Sequence, residues 1–338
     1  MAERLILRAV QNDTELHQAN DLMAKAHRRD YYSILQWMET AGRNYPGFRR
    51  EHTRIALLHG EIAGALRITT DTIRIGEARL KMGGLGWVTT AGAHRHKGIA
   101  RELMIHTMQY LREQRYHVAM LFGIPNFYHR FGFATTLAEY SVALDLASTA
   151  PAGHNGALRV RPAKPGDLPA MAKLHNLHDG DTVCSLVRSV AHFTNRWDQW
   201  KNATVLTDHA GKVRAYFLAE TAPNELDIRE VGLAAPEVCP SLLHACAECA
   251  RAQHMARLRF HAPPAHLIAR YLLQFHSTHE MRVTHNEGGM MAFVNLEEAL
   301  ESMIPEWEHL LANSAVRDDR LEITFVVDTK PLRVRTHR

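Results

Sequence analysis

The first half of the chain contains no cysteine. The four in the molecule, Cys184, Cys239, Cys246 and Cys249, all lie in the second half. They are too few and too unevenly placed for a disulfide framework, so reduced thiols in a cytoplasmic protein are expected. Long apolar runs are also missing, and no membrane span is expected. The N-terminal MAERLILRAV is too short and too charged for a secretory signal. Neither sign of charge dominates. A net charge of +4 over 338 residues makes no electrostatic case for nucleic acid, although local basic patches can still attract phosphates. With 46% hydrophobic and 22% charged residues the chain is globular, and its length suits two or three domains.

Histidine, by contrast, is abundant: 23 residues, scattered. His175-x-x-His178 and His276-x-x-His279 have the spacing of one helix face. Neither pair has a third ligand nearby, and solvent-exposed histidines are the expectation. Cys246-x-x-Cys249, with Cys239 and His244 upstream, has some zinc-like character. The surrounding SLLHACAECARA reads instead as a helix laying small apolar residues on a sheet, so no metal site is assigned.

The stretch that organises the rest is WVTTAGAHRHKGIA, Trp87 to Ala100. An apolar strand, Leu80 to Thr90, enters a loop that closes on Arg95-His96-Lys97-Gly98-Ile99-Ala100. A helix follows, carrying Ile99, Leu103, Met104, Met108 and Leu111 at helical spacing. Strand, basic glycine loop and helix make a physical device for holding a pyrophosphate. Loop amides and the helix N-terminus supply partial positive charge. Gly98 allows close backbone approach, and Arg95, His96 and Lys97 add cationic or donor groups. An ordinary basic strand-to-helix turn has the same composition.

Before this loop the pattern gives a strand over Leu5 to Ala9 and a helix opened by Asn12-Asp13-Thr14-Glu15. A second helix over Tyr31 to Met38 and strands Thr53 to Leu58 and Ile62 to Thr69 follow. After it, HVAMLFGI (His117 to Ile124) reads as a buried strand. It runs into Phe127-Tyr128-His129-Arg130-Phe131-Gly132-Phe133, and strand Glu139 to Asp145 is expected to close the unit.

Arg95-x-x-Gly98-x-Ala100 resembles the acyl-CoA loop of the GNAT acetyltransferase superfamily. Its pairing with Phe127-Tyr128-x-Arg130-Phe131-Gly132-Phe133, across an intervening buried strand, is similar to the Eis-like (enhanced intracellular survival) tandem-GNAT acetyltransferases. The resemblance implies an α/β (α+β) fold of two tandem GNAT-like mixed-sheet domains flanked by helices, with a short partial sterol-carrier-protein-like segment at the end. The expected division is 1–150, 157–295 and 296–338, with PAGHNG (Pro151 to Gly156) as linker.

The second half repeats the order of elements. Strand Ala157 to Arg161 precedes a helix begun at Pro165-Gly166-Asp167, and a further helix is expected over Thr182 to Arg196. Strands Ala203 to Leu206, Val213 to Glu220 and Leu226 to Leu233 lead to helix Cys239 to His254 and strand Arg257 to His261. Between Leu233 and Ser241 the chain reads AAPEVCP, with no glycine or arginine, and Pro236 and Pro240 remove amide donors. The second domain is therefore expected to be degenerate. A helix Glu297 to Leu311 and strands Arg320 to Val327 and Leu332 to Arg335 complete the chain and are too few to bury a core alone.

What the resemblance implies about chemistry is N-acetyl transfer from acetyl-CoA, as co-substrate and without a metal, to a primary amine by direct attack in a ternary complex. An aminoglycoside, a polyamine or a protein lysine is the implied acceptor. Val88 and Thr90 correspond to the strand positions that meet pantetheine, with the amide near Val88 as the donor to the thioester oxygen. Tyr128 corresponds to the general acid, since a phenol of pKa about 10 is protonated at neutral pH. Asp30, Glu39 and Glu51 lie in segments expected to line the acceptor groove and are the carboxylates considered as base. No nucleic-acid or membrane partner is expected, and a homo-oligomer stays open. The competing reading is a non-catalytic acyl-CoA-binding sensor that uses the same loop.

Overall fold

The structure is a computed structural model that describes residues 5–26, 30–149, 158–178, 182–317, 321–327 and 330–335. The expected linker, Pro151 to Gly156, lies outside the described residues. In the first half the chain runs β1 (Ile6–Ala9), α1 (Asp13–Ala26), α2 (Tyr31–Glu39), β2 (Thr53–Leu58), β3 (Glu61–Ile75) and β4 (Ala78–Thr90). Then come α3 (Ile99–Glu113), β5 (Val118–Gly123), β6 (Ala134–Leu137) and β7 (Glu139–Asp145). The second half runs β8 (Arg159–Pro162), α4 (Leu168–His178), β9 (Ser185–Leu186), α5 (Val190–Asn195), α6 (Trp197–Trp200) and β10 (Thr204–Thr207). It continues through β11 (Val213–Ala222), β12 (Glu225–Leu233), α7 (Cys239–Ala252), β13 (Arg257–Phe260), α8 (Leu267–Leu272), β14 (Ser277–Arg282) and β15 (Gly288–Phe293). Last are α9 (Leu296–Ser302), α10 (Ile304–Ala312), β16 (Glu322–Val327) and β17 (Lys330–Arg335).

Local chemistry explains the opening elements. Asn12 Oδ1 accepts the Glu15 amide at 2.9 Å, and Glu15 Oε2 accepts the Gln11 amide at 2.8 Å, so one orphan amide of α1 and the amide just before its cap are satisfied. Leu16, Ala19 and Met23 of α1 pack with Met38 of α2 onto Ile55 and Ala65. On the opposite face of the same sheet, Ile99, Leu103, Met104 and Leu111 of α3 meet Leu66, Ile68 and Leu85. Each such fully buried aliphatic side chain contributes about 1.5–3 kcal/mol. Gly64 permits the approach of α3, because a Cβ there would lie 2.9 Å from Ile99 Cγ2 and 3.2 Å from the Thr89 carbonyl oxygen.

Strand order shows how the two halves are built. The first sheet runs β1-β2-β3-β4-β5-β15-β6, with β9 added to β3, and the second runs β14-β7-β13-β12-β11-β10-β8. Read from β8, the second sheet has the order of the first. In each, the strand beside the one that follows the main helix comes from the other half. The expectation that Glu139 to Asp145 closes the first unit is therefore corrected: β7 lies between β13 and β14, and β15 takes the place between β5 and β6. Val142 and Leu144 of β7 join the core under α7, and Met290 and Ala292 of β15 join the core under α3. Alternation in a strand announces one buried face, not which core receives it.

Four further expectations change. The helix over Thr182 to Arg196 is replaced by β9, paired with Ile73 and Arg74 of β3, and by the short α5. The helix over Glu297 to Leu311 is two helices that part at Met303, where Pro305 sits in the first turn of α10. His175 is buried rather than exposed: Nε2 lies 3.0 Å from the Leu186 carbonyl and the ring packs on Phe193. His276 and His279 are exposed as expected, but His279 is on β14 and not on a helix. The helices of the final segment dock on the first half, with Ala299 of α9 buried against Leu80, Met82 and Val118 and Glu306 of α10 accepting the Glu77 amide at 2.8 Å, while Trp307 stacks on Phe325 within the segment.

The exchange of β7 and β15 makes the halves interdependent. A fragment of residues 1–150 should fail to unfold cooperatively in urea, because it lacks β15 and leaves β7 unpaired. A sigmoidal, two-state transition of that fragment by circular dichroism would show that the first half folds alone.

Candidate functional site

β4 pairs in parallel with β5 only over Met82–Gly84 against Val118–Met120. Beyond Gly84 the two strands part, while β4 stays paired with β3 up to Thr90. Within that stretch Trp87 and Val88 together face Leu66, a bulge with Trp87 at φ 61°. The bulge turns Trp87 toward the α1–α2 face, its ring 6.0 Å from that of Trp37, and leaves Val88 on the α3 side against the first core. Val88 and Thr90 thus line the opened side of β4.

The loop then passes through a short 3₁₀ turn, Gly92–His94, to Gly98, which caps α3 with φ 77°. Only glycine adopts that backbone without strain. A Cβ at Gly98 would meet nothing within 4 Å, so the loop faces open space. Arg95, His96, Lys97 and Gly98 are exposed, whereas Ile99 is buried and Ala100 half-buried. The amides of the first turn of the fifteen-residue α3 have no intrahelical acceptor. Thr89 Oγ1 and His94 Nδ1 are buried without a hydrogen-bond partner among the described residues. Cations, free amides and two orphaned polar atoms on one rim fit a diphosphate-bearing ligand. A cavity of about 660 Å³ lies against this rim, walled on its other side by Leu22, Lys25 and Ala26 of α1 and Tyr31 of α2. Sequence reading missed Lys25, Tyr31 and Thr89, since nothing local to α1 announces the loop it faces.

Tyr128 follows β5, in a 3₁₀ turn over Tyr128–Phe131 that closes on Gly132 at φ 84°. It shares the first core with Ile99 and Leu121 and packs edge-on to Phe127 at 4.9 Å. A Cβ at Gly123 would lie 2.7 Å from its Cδ2, so the ring rests on the end of β5. Burial raises its pKa above the ordinary phenol value. Its hydroxyl makes no hydrogen bond among the described residues.

The three carboxylates considered as base differ sharply. Glu39 is occupied: Asn20 Nδ2 donates to Oε1 at 2.6 Å, His17 Nδ1 lies 3.1 Å from it, and Arg43 pairs with Oε2 at 2.6 Å. These partners outweigh burial and lower its pKa. Asp30 is exposed at the start of α2, and Glu51 is exposed beside Arg49 at 3.8 Å. None of the three lies on β4 or β5. Deep in the α1–α2 face, Arg67 is buried with its Nε and Nη1 without a hydrogen-bond partner among the described residues; it donates to Asn20 Oδ1 and lies over Phe48.

In the second half, Cys239 and Cys246 are buried on the sheet-facing side of α7. Burial pushes the Cys239 thiol up to about 12 and the Cys246 thiol well above its ordinary value, so both are inert at neutral pH. β12 pairs with β13 over Glu225–Ile228 and then departs, as β4 does. Five residues rather than eight separate β12 from α7, and α7 begins at Cys239 with Pro240 behind it.

Residues 7–136 match the family model described as acetyltransferase (GNAT) domain. The fold is similar to a GCN5-related N-acetyltransferase from Anabaena variabilis, with TM-score 0.70 and 18% identity over 88% of this chain and 75% of that one. It is similar to Eis1 from Mycobacterium abscessus, with TM-score 0.62 and 14% identity over 88% and 76%. It is also similar to Saccharomyces cerevisiae N-myristoyltransferase with bound myristoyl-CoA, with TM-score 0.54 and 11% identity over 87% and 83%. No curated protein matches the sequence. The architecture is thus a GNAT-like mixed α/β fold, a class that supports acyl-CoA-dependent transfer. No described helix is long and apolar enough to cross a membrane.

If the rim holds the diphosphate of acetyl-CoA, removing its cation and filling its open glycine must weaken binding. Arg95→Ala together with Gly98→Asp should cost about 2–5 kcal/mol, as for other charged hydrogen-bond pairs. Unchanged affinity by calorimetry, in a variant with unchanged thermal stability, would remove this loop as the donor site.

Proposed function

We propose that the protein is an N-acetyltransferase that moves an acetyl group from acetyl-CoA to a primary amine in a ternary complex at the first-half site. The observation that carries this reading is the parting of β4 from β5 at Gly84, directly below a glycine-capped, cation-bearing helix N-terminus. Amides on the opened side of β4 can pair with the pantetheine chain, as they would with a further strand. The amide near Val88 is then placed to polarise the thioester oxygen. Arg95, His96, Lys97 and the first turn from Gly98 to Ala100 hold the diphosphate.

Tyr128 acts at the leaving group. Its phenol is protonated at neutral pH, is rigidly seated by Phe127 and Gly123, and has no competing acceptor among the described residues. When the thioester C–S bond breaks, the phenol proton passes to the thiolate sulfur. The α1–α2 side supplies the acceptor wall. The second half, with a shorter loop and prolines at 236 and 240, holds no acetyl-CoA of its own. Free thiols throughout suit a cytoplasmic setting. Cadaverine, kanamycin and a lysine-containing peptide represent the acceptor classes to screen, with free thiol release as readout; turnover separates a transferase from an acyl-CoA sensor.

Tyr128→Phe keeps the ring and its packing and removes the proton. Acetyl-CoA affinity and thermal stability should hardly move, while turnover falls by roughly 10²- to 10⁴-fold. Near-normal turnover at saturating acceptor would make Tyr128 a packing residue only.

A further inference from the structure

On the α1–α2 face of the first sheet, one buried carboxylate belongs to none of the groups described so far. Asp71 lies on β3 directly opposite Met82 of β4. Its side chain is only 5% exposed. The Tyr45 hydroxyl donates to Asp71 Oδ1 at 2.9 Å, and His192 Nε2 approaches the same oxygen at 3.2 Å. The Ser189 amide donates to His192 Nδ1 at 3.0 Å, with the Ser189 hydroxyl 2.9 Å away. That bond fixes the tautomer: Nδ1 accepts, so Nε2 carries the proton and donates to Asp71. Oδ1 is thereby held by two donors, one from each half of the chain. Oδ2 receives no hydrogen bond among the described residues.

The position matters as much as the contacts. Asp71 is two residues from Gly84 along the ladder, where β4 leaves β5. That is about 7 Å along the strand and about 5 Å across. Arg67, Thr69 and Asp71 share the α1–α2 face, by the alternation of a strand, whereas Thr70 turns the other way to Tyr116. Between Asp71 and the notch stand only small or flexible groups: a Cβ at Gly84 would meet the Thr69 hydroxyl and lie 3.6 Å from Met82 Sδ, whereas the face above Gly86 is open, with nothing within 4 Å of a Cβ built there. The Thr69 hydroxyl, which reaches the Gly84 carbonyl at 3.4 Å, lies on the same path.

We propose that Asp71 is the proton acceptor for the attacking amine, reached through Thr69 or ordered water, and that His192 and Tyr45 are the residues that position it. The inference rests on the acetyltransferase reading above. The ammonium form of the acceptor loses one proton to Asp71, the free amine forms the new C–N bond as the C–S bond breaks, and the thiolate leaves with the proton of Tyr128; the second proton of the amine nitrogen, shed as the amide forms, passes through water to the Tyr128 phenolate, and Asp71 releases its proton to solvent. The other charged groups facing this cluster are Arg188 and Arg196, both close enough to act on Tyr45. The second half thus contributes His192 to the first site rather than a site of its own.

The test compares two amines. Methoxyamine is unprotonated at neutral pH and needs no base, whereas the alkylamine returned by the acceptor screen does. Asp71→Asn should leave acetyl-CoA affinity unchanged. It should lower alkylamine turnover by roughly 10²- to 10⁴-fold and methoxyamine turnover by less than about tenfold. His192→Ala should follow Asp71→Asn in the same direction, and His192→Gln, which keeps a donor toward Oδ1, should restore part of the loss. Equal losses with both amines, or no loss in Asp71→Asn, would overturn the assignment. A wild-type protein that binds no acetyl-CoA would overturn the acetyltransferase reading and this one together.

Discussion

Everything at the site depends on the parting of β4 from β5. A parallel pair that stops after three residues leaves the rest of β4 with one side unpaired. Inside a folded protein such amides need a partner. The separation is held open from both faces. On one, α3 is drawn close over Gly64 and anchors Ile99 in the core. On the other, the bulge at Trp87 turns the indole toward Trp37 and the α1–α2 pair. The loop and the helix N-terminus follow directly from the parted end of β4, and Tyr128 sits in the core under the same helix.

The exchange of β7 and β15 carries this constraint further. Because β15 lies against β5, the wall of the notch opposite β4 is braced by a strand from the second half. The segment from Cys184 to Asn195 crosses back as well, pairing on β3 and donating from Asn195 to the Ala41 carbonyl at 2.8 Å. The second half therefore helps shape the opened edge between β4 and β5 in the first sheet. The cost of separating the halves is high, since each core is completed by a strand of the other.

Sequence reading found the parts whose signals are local. The helix after Gly98, the buried strand at HVAMLFGI and the capped start of α1 are set by spacing and caps within a few residues, and all stand in the structure. Partnership at long range was not legible. Val142 and Leu144 alternate as a strand should, yet nothing in that alternation says that β13 and not β5 is the neighbour. The apolar positions of Thr182 to Arg196 fit a helix locally, and the pairing of β9 with Ile73 and Arg74, more than a hundred residues earlier, leaves no local mark. Asp71 lies beyond the expected strand Ile62 to Thr69, and nothing local singles it out, since Tyr45 and His192 lie 26 and 121 residues away. Nothing near His175 in sequence announces its burial, because its partners, Leu186 and Glu230, arrive from other elements.

The central claim is that one notch, and not two, holds the acyl donor. Isothermal titration calorimetry of the full chain with acetyl-CoA tests it most directly. The account predicts a single site, with a stoichiometry near one per chain. A stoichiometry near two, or one site that survives disruption of the Arg95–Ala100 loop, would contradict it.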